Sequence, residues 1–388
     1  STPSGAAYYD KLANLIASDD SPDIVTKDAM LLPGNVSKTL FEPLDGKIDL
    51  TAPQWKDMSN VIEQFAWKGV HYYYPHRTTT KYALNYSKKT IEENDLTDPY
   101  ELYANGEWTW EAWRNMMIEF CNKDDKHVGF YTTNNTITSF IATTGTTMID
   151  VQPDGTITNN LLSADVSRAM TFLEGLCRDG LTYDKSYGDW VSPQVFSTAC
   201  NNILFTCTEP EWTYIAATEN LQNKEGVDSD IFGEVSEFSF VPFPRDPMAD
   251  AYYTEFDTFG YLVPKGAKNI DGAVEFINLN RMYDIDPDIQ AKVREDHVNP
   301  TKIYFEKGKY AGSEKWQMTW GEHEYDLCRE MCDPANFSFI MEDAEGFSVD
   351  FTDKIGQLLM GVVERSESWA KTSAEFSPIA DGVISEFK

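Results

Sequence analysis

The chain has no apolar run approaching the ~20 residues that a membrane-spanning helix requires. It also shows no signal-peptide pattern: STPSGAAYYD is small and polar before a helical pattern begins, as at a mature or trimmed terminus. Cations are scarce, with 32 Lys and Arg against 63 Asp and Glu, for a net charge of −31. That excess repels phosphate backbones and anionic bilayers, so neither nucleic acid nor a directly bound lipid surface fits as a partner. The acids are spread along the chain and not gathered in a tail, so they read as solvated surface. His71, His76, His127, His297 and His323 form no ligand pattern. Six cysteines show no CxxC pair, and Cys328 and Cys332, at i and i+4, have no second pair to complete a zinc site. Cys200 and Cys207 flank NNILFT, too far apart for a disulfide if that run is a strand. All six cysteines therefore read as free, small and mostly buried. No metal and no cofactor is expected. Internal repeats and low-complexity segments are absent.

What is present describes a globular protein. A length of 388 residues suggests two or three cores, since single cores stop growing near ~250–300 residues. Hydrophobic residues make up 41% and charged residues 24%. The aromatic share of 13% fits either an aromatic-rich core or ligands with flat apolar faces, such as sugars.

Helical and strand patterns alternate. Tyr8, Leu12, Leu15 and Ile16 have helical spacing, SDDSPD breaks the helix, and Ile24-Val25 starts a strand. Met58, Val61, Ile62 and Phe65 mark a second helix; HYYYP (71–75) and KYALNYS (81–87) read as strands. Helices are expected near 109–122, 135–144, 163–178 and 193–200, interrupted by a hairpin around QPDG. Strands follow at 202–207, 237–243 and 259–264, then a helix from Ala273 to Met282. Long amphipathic patterns mark 314–331, 349–363 and 374–387. In NGEWTWEAW, Thr109 reads as an N-cap, with Trp110, Trp113 and Met117 on one helical face and Trp108 packing back as a staple. This is an α/β chain of two lobes whose connecting segments form a hinge at a cleft.

Several motifs, in order, resemble the extracellular solute-binding proteins of ABC importers, in the carbohydrate-binding group that includes maltose-binding protein. KLANLIASDDSPDIV resembles that family's helix and "PD plus apolar" strand, and FEPLDGKID its "L-x-P-L-D" loop. KGVHYYYPHRTTTKYALNYSKKTIEENDL, EWTWEAW, VFSTACNNILFTCTEPEW and FGYLVPKGAKNIDGAVEFINL match further family stretches, together spanning about residues 8–282. The family's opening strand is missing, Asn85-Tyr86-Ser87-Lys88 stands where YNK is usual, and Ala199-Cys200-Asn201 replaces Gly-Lys. The resemblance implies a two-lobed periplasmic-binding-protein fold of class II, each lobe a mixed sheet flanked by helices. The expected lobes are 1–84 with 259–310, and 85–258 with 311–388. It further implies a monomer that works in the periplasm or lipid-anchored outside the cell, captures an oligosaccharide and delivers it to a membrane permease.

A sugar needs an aromatic plate for its C–H face and charged or amide groups for its hydroxyls. Trp212, after Glu209-Pro210-Glu211, is expected to project from a strand-to-helix turn where the family carries its stacking aromatic. Glu209 and Glu211 could accept hydroxyl hydrogen bonds or serve as plain helix-dipole partners. Lys27 and Asp28 follow the first strand, and Arg77 and Thr78 follow HYYYP, at strand ends where open α/β sheets place ligands. Tyr252, Phe256 and Asp257 precede FGYLVP near the hinge. Trp190 sits in a Gly-Asp-rich loop. Phe347 lies in EDAEGFSVDF, where the family often has an aromatic. Core or solvated positions are the alternative for each. MEDAEG (341–346) lacks the alternating ligands of an EF-hand loop. Two other functions stay open: a glycoside hydrolase, with Glu209 and Asp257 the one pair to nominate, and a binding protein for a peptide, metal chelate or other non-sugar solute.

Overall fold

A computed structural model describes residues 5–28, 30–131, 134–182, 203–210, 238–299, 301–305, 312–317 and 320–387. Two four-stranded mixed sheets organise the chain. In the first, Tyr253–Leu262 is the central strand; it pairs antiparallel with Val25–Thr26 and Tyr73–Thr80, and parallel with Ser338–Ile340. In the second, Ala83–Ser87 lies between Phe238–Val241 and Ile203–Thr208, and Val128–Phe130 adds in parallel at the edge. Tyr73–Thr80 and Ala83–Ser87 are separated only by Lys81 and Tyr82, so the chain passes from one sheet to the other within two residues.

The tryptophan-rich segment forms as its periodicity dictates. Thr109 Oγ1 accepts the N–H of Ala112, capping the helix Trp110–Cys121. Trp108, Trp110 and Trp113 are buried. Their rings meet Phe140, Phe172, Phe130 and Phe205. Trp108 donates its ring N–H to the Pro242 carbonyl at 2.8 Å and Trp110 to Thr143 Oγ1 at 3.1 Å, so both polar tips are satisfied inside the core. The cluster is core, not a binding plate. The expected hairpin also forms, with Ile149–Val151 paired to Ile157–Asn159.

Three segments depart from the pattern reading. Tyr73–Thr80 does not end at Pro75: it continues through Arg77 and Thr78, which are therefore strand residues and not loop residues after a strand end. Proline is tolerated here because Pro75 lies opposite Gly260 at a β-bulge beside Phe259. The final crossing strand starts at Tyr253, so Phe256 and Asp257 lie inside it. Ser313–Gln317, expected as helix, is a strand paired with Thr301–Phe305, and helix resumes only at Glu322–Met331. Helices Val349–Arg365 and Trp369–Ser385 close the chain as expected. The expected helix near 193–200 lies outside the described residues.

Candidate functional site

Beside the crossing strands lies a cleft of about 720 Å³. One wall comes from the end of the first strand. Lys27 follows Val25–Thr26, and its Nζ lies 3.0 Å from Asp257 Oδ1 on the central strand. The Asp28 carboxylate accepts the Gly5 N–H, and its carbonyl accepts the Tyr9 hydroxyl. The floor is apolar, with Phe256 beside Phe339 and the edge of Phe65, and Lys27 Nζ 5.9 Å from the Phe65 ring centre.

The deepest part is built on a buried ion pair. Lys81, in the two-residue link between the sheets, reaches Glu255 Oε1 at 2.5 Å. Glu255 Oε2 accepts the hydroxyls of Ser139 (2.6 Å) and Thr138 (3.0 Å), which bring in the helix Asn134–Ala142. Burial alone would depress the Lys81 pKa, but the facing Glu255 carboxylate outweighs it and holds the amine protonated, well above its usual range. The pair thus joins the central strand, the link and a helix through charge-assisted bonds.

The third wall is the turn 341–346. Glu342 accepts the N–H groups of Met148, Ile149 and Ala344, and Asp343 accepts that of Val151. Desolvation raises Glu342 to about 8 against the pull of those donors, with Glu255 adding to the rise. Asp343 is also raised, again first by burial. Gly346 is obligatory: a Cβ there would sit 1.4 Å from the Leu32 carbonyl oxygen, because two turns meet backbone to backbone. Among the described residues no group of three or more His, Cys, Asp or Glu is placed to hold a metal ion. Within MEDAEG, Glu342 and Asp343 act as acceptors for backbone N–H groups.

A second chamber of about 860 Å³ adjoins the first and shares Met341 and Asp343 with it. Its polar lining is mainly hydroxyl and amide, from Gln64, Thr146, Thr147, Gln152 and Asn160, with Asp150, beside apolar Val151, Pro153 and Ile340. At its rim two turns touch. The Gly69 N–H donates to the Pro153 carbonyl at 2.8 Å, and the Lys68 side chain lies against Gly155.

The sequence profile of the bacterial extracellular solute-binding proteins matches residues 2–293. The chain belongs to this family. No curated protein matches this solute-binding protein by sequence. Solved structures share its fold. The sugar-binding protein MalE from Xanthomonas citri has a TM-score of 0.64 and 14% identity, covering 98% of this chain and 88% of that one. The lacto-N-biose-binding protein of Bifidobacterium longum has a TM-score of 0.64 and 13% identity, covering 99% and 88%. The ABC substrate-binding protein Lmo0181 of Listeria monocytogenes has a TM-score of 0.62 and 13% identity, covering 97% and 89%. The architecture is the two-lobed one of these proteins. A member of this family works outside the cytoplasmic membrane, and among the described residues no helix is long and apolar enough to cross one.

The solute-binding protein brings together four of the residues singled out from its sequence. Lys27, Asp28, Phe256 and Asp257 all line the first chamber. Arg77 and Thr78 line a separate cavity that shares no residue with either chamber. Phe347 is buried, edge-on to Phe351 and Phe387. Tyr252 is half-buried between Tyr103 and Phe337, its hydroxyl bonded to the Trp108 carbonyl. Glu209 is exposed just past Ile203–Thr208 and lines neither of the two chambers. Trp190, Glu211 and Trp212 lie outside the described residues. Lys81, Glu255, Glu342 and Asp343 were not singled out as ligand groups. For Lys81 and Glu255 the available signal was a Lys in a two-residue link and an acid inside an apolar strand.

Proposed function

We propose that this solute-binding protein is the capturing subunit of an ABC importer, that it closes on a carbohydrate, and that the carbohydrate is an oligosaccharide. The observation that carries this is the pair of chambers meeting at Met341 and Asp343. One offers carboxylates and ammonium groups over an apolar floor, and the other offers amides and hydroxyls. A polyhydroxylated ligand more than one ring long uses both. Two of the neighbours bind oligosaccharides, cycloalternan for the Listeria protein and lacto-N-biose for that of Bifidobacterium.

The stacking aromatic in this reading is Trp212, with Glu209 and Glu211 at its turn. The lobes follow the division 1–84 with 259–310, and 85–258 with 311–388. The protein acts as a monomer, free in the periplasm or held by a lipid anchor, and hands its ligand to a membrane permease. It carries out no reaction of its own. Hydrolysis would need two carboxylates ~5–5.5 or ~6.5–9.5 Å apart across the ligand; Asp257 is paired to Lys27, and Glu209 lines neither chamber.

Thermal unfolding against a panel of mono- and oligosaccharides, peptides and metal chelates tests the reading. Oligosaccharides are expected to raise the midpoint most. A rise with peptides or chelates and none with any sugar would overturn it.

A further inference from the structure

Behind the crossing strands, away from both chambers, a third cavity of about 1120 Å³ lies between the strand Tyr73–Thr80 and the end of the helix Glu322–Met331. Cys332 is the C-cap of that helix and lines the cavity. Its Sγ accepts the Thr80 N–H at 3.3 Å and lies 4.0 Å from Thr79 Oγ1. Its carbonyl accepts the Thr78 hydroxyl at 3.2 Å. Cys328, one turn earlier and buried, hydrogen-bonds through its thiol to the Cys332 sulfur.

The charge around this thiol is unusual for so acidic a chain. Carboxylates on the cavity wall are already engaged: Asp57 by Arg281, Asp284 by His76, Glu330 by the Tyr103 hydroxyl, and Asp333 by the Ala335 N–H. Two guanidiniums on the same wall are not. Arg77 lies over the Phe259 ring at 4.2 Å with its Nε buried and unbonded, and Arg329 forms no ion pair among the described residues. Electropositive, partly exposed surroundings of this kind favour the thiolate.

We infer that Cys332 and Cys328 form a redox-active dithiol, Cys332 attacking and Cys328 resolving, whose substrate is a small anionic disulfide entering the third cavity. The Cys332 thiolate attacks one sulfur of the disulfide RSSR. A Cys332–SR bond forms, the RS–SR bond breaks, and RS⁻ leaves and takes up a proton. Cys328 then loses its proton and attacks the Cys332 sulfur, releasing the second RSH. Two protein thiols are oxidised and one external disulfide is reduced to two thiols. Cβ atoms at i and i+4 of a helix stand ~5–6 Å apart, whereas a disulfide needs ~3.5–4.5 Å. The last turn must therefore tighten, which withdraws the Cys332 sulfur from the Thr80 N–H. That bond ties the helix to the strand leading into Lys81, so oxidation loosens the back of the crossing segments.

Reduced full-length protein treated with oxidised glutathione and mapped by tryptic mass spectrometry tests this, because cleavage after Arg329 separates the two cysteines. The expected product is a cross-linked pair of peptides carrying Cys328 and Cys332. Cys328→Ser should instead trap one glutathione on Cys332, and Cys332→Ser should leave Cys328 unmodified. The hydrogen bond from Cys328, helped by the Thr80 N–H and the Arg329 charge, lowers the Cys332 thiol to about 7, and burial raises the Cys121 thiol to about 11. Allowing for the weaker nucleophilicity of the more acidic thiol, Cys332 should react roughly 10–100-fold faster than Cys121. An adduct at Cys332 that never resolves in the unaltered protein, or a Cys332 no faster than Cys121, would overturn the inference. Reaction of Cys328 in Cys332→Ser at the Cys332 rate would do the same. Thermal unfolding verifies that both serine variants fold; if either does not, the Cys332 to Cys121 rate ratio decides.

Discussion

At the residue scale, the cleft rests on charges that are buried yet partnered. Glu255 is 2% exposed and holds Lys81, Thr138 and Ser139 at once. Removing one partner of a buried pair costs far more than the pair's net contribution, because the remaining charge stays desolvated. Lys81→Met is therefore expected to lower unfolding stability by about 3 kcal/mol in denaturant melts. A loss below half a kcal/mol would show that the pair is not closed in solution. Glu342 gives a pH signature. Its folded pKa of about 8 lies above the ordinary Glu value of ~4.3. The folded protein thus binds the proton more tightly than the unfolded chain. Its contribution is fully present below the unfolded value and is lost as pH rises through about 8. Unfolding free energy should accordingly fall between these two pH values, by at most ~1.4 kcal/mol per pH unit for this group. Glu342→Gln should remove that share of the slope and leave the share of Asp343, as read from denaturant melts across the range. An unchanged slope would show that Glu342 stays ionised in the fold.

At the element scale, the helix Trp110–Cys121 separates stability from binding. Its cap and its tryptophan face are both local, which is why they were legible in the sequence. Thr109→Ala should cost about 1 kcal/mol through the lost cap, and Trp110→Ala about 3–5 kcal/mol through the emptied core. Neither should change ligand affinity measured by titration calorimetry. Trp212→Ala should do the reverse, losing roughly 1–3 kcal/mol of binding with little change in melting. Equal effects of Trp110→Ala and Trp212→Ala in both assays would contradict this division. Other elements were not legible, for definite reasons. Pro75 looked like a strand end because the bulge that accommodates it, with His76 skipped between Pro75 and Arg77, forms only against the remote pair Phe259 and Gly260. Ser313–Gln317 looked helical because its spacing fits a helix, and its pairing with the neighbouring strand Thr301–Phe305 overrides that local preference.

At the scale of the whole molecule, the order of motifs was enough to give the two-lobed architecture; strand-end logic named Lys27 and Asp28, and nearness to the hinge named Phe256 and Asp257, which all line the first chamber. What it could not find were groups whose partners are remote. Lys81 meets Glu255 across 174 positions, and Glu342 meets Met148 across 194. The acidic run at 341–346 was weighed only as a calcium loop; its Glu342 and Asp343 are buried where backbone N–H groups of a distant hairpin point at them. These remote pairs also concentrate near the link at Lys81-Tyr82 and the central strand, where lobe motion must pivot.

The central claim is that a sugar is captured between the two lobes and holds them together, since a ligand shifts a hinge only through contacts made better in the closed state. Small-angle X-ray scattering with and without mixed oligosaccharides tests it most directly. A smaller radius of gyration in the presence of ligand is predicted. No change in radius with an oligosaccharide that binds by calorimetry would contradict the account.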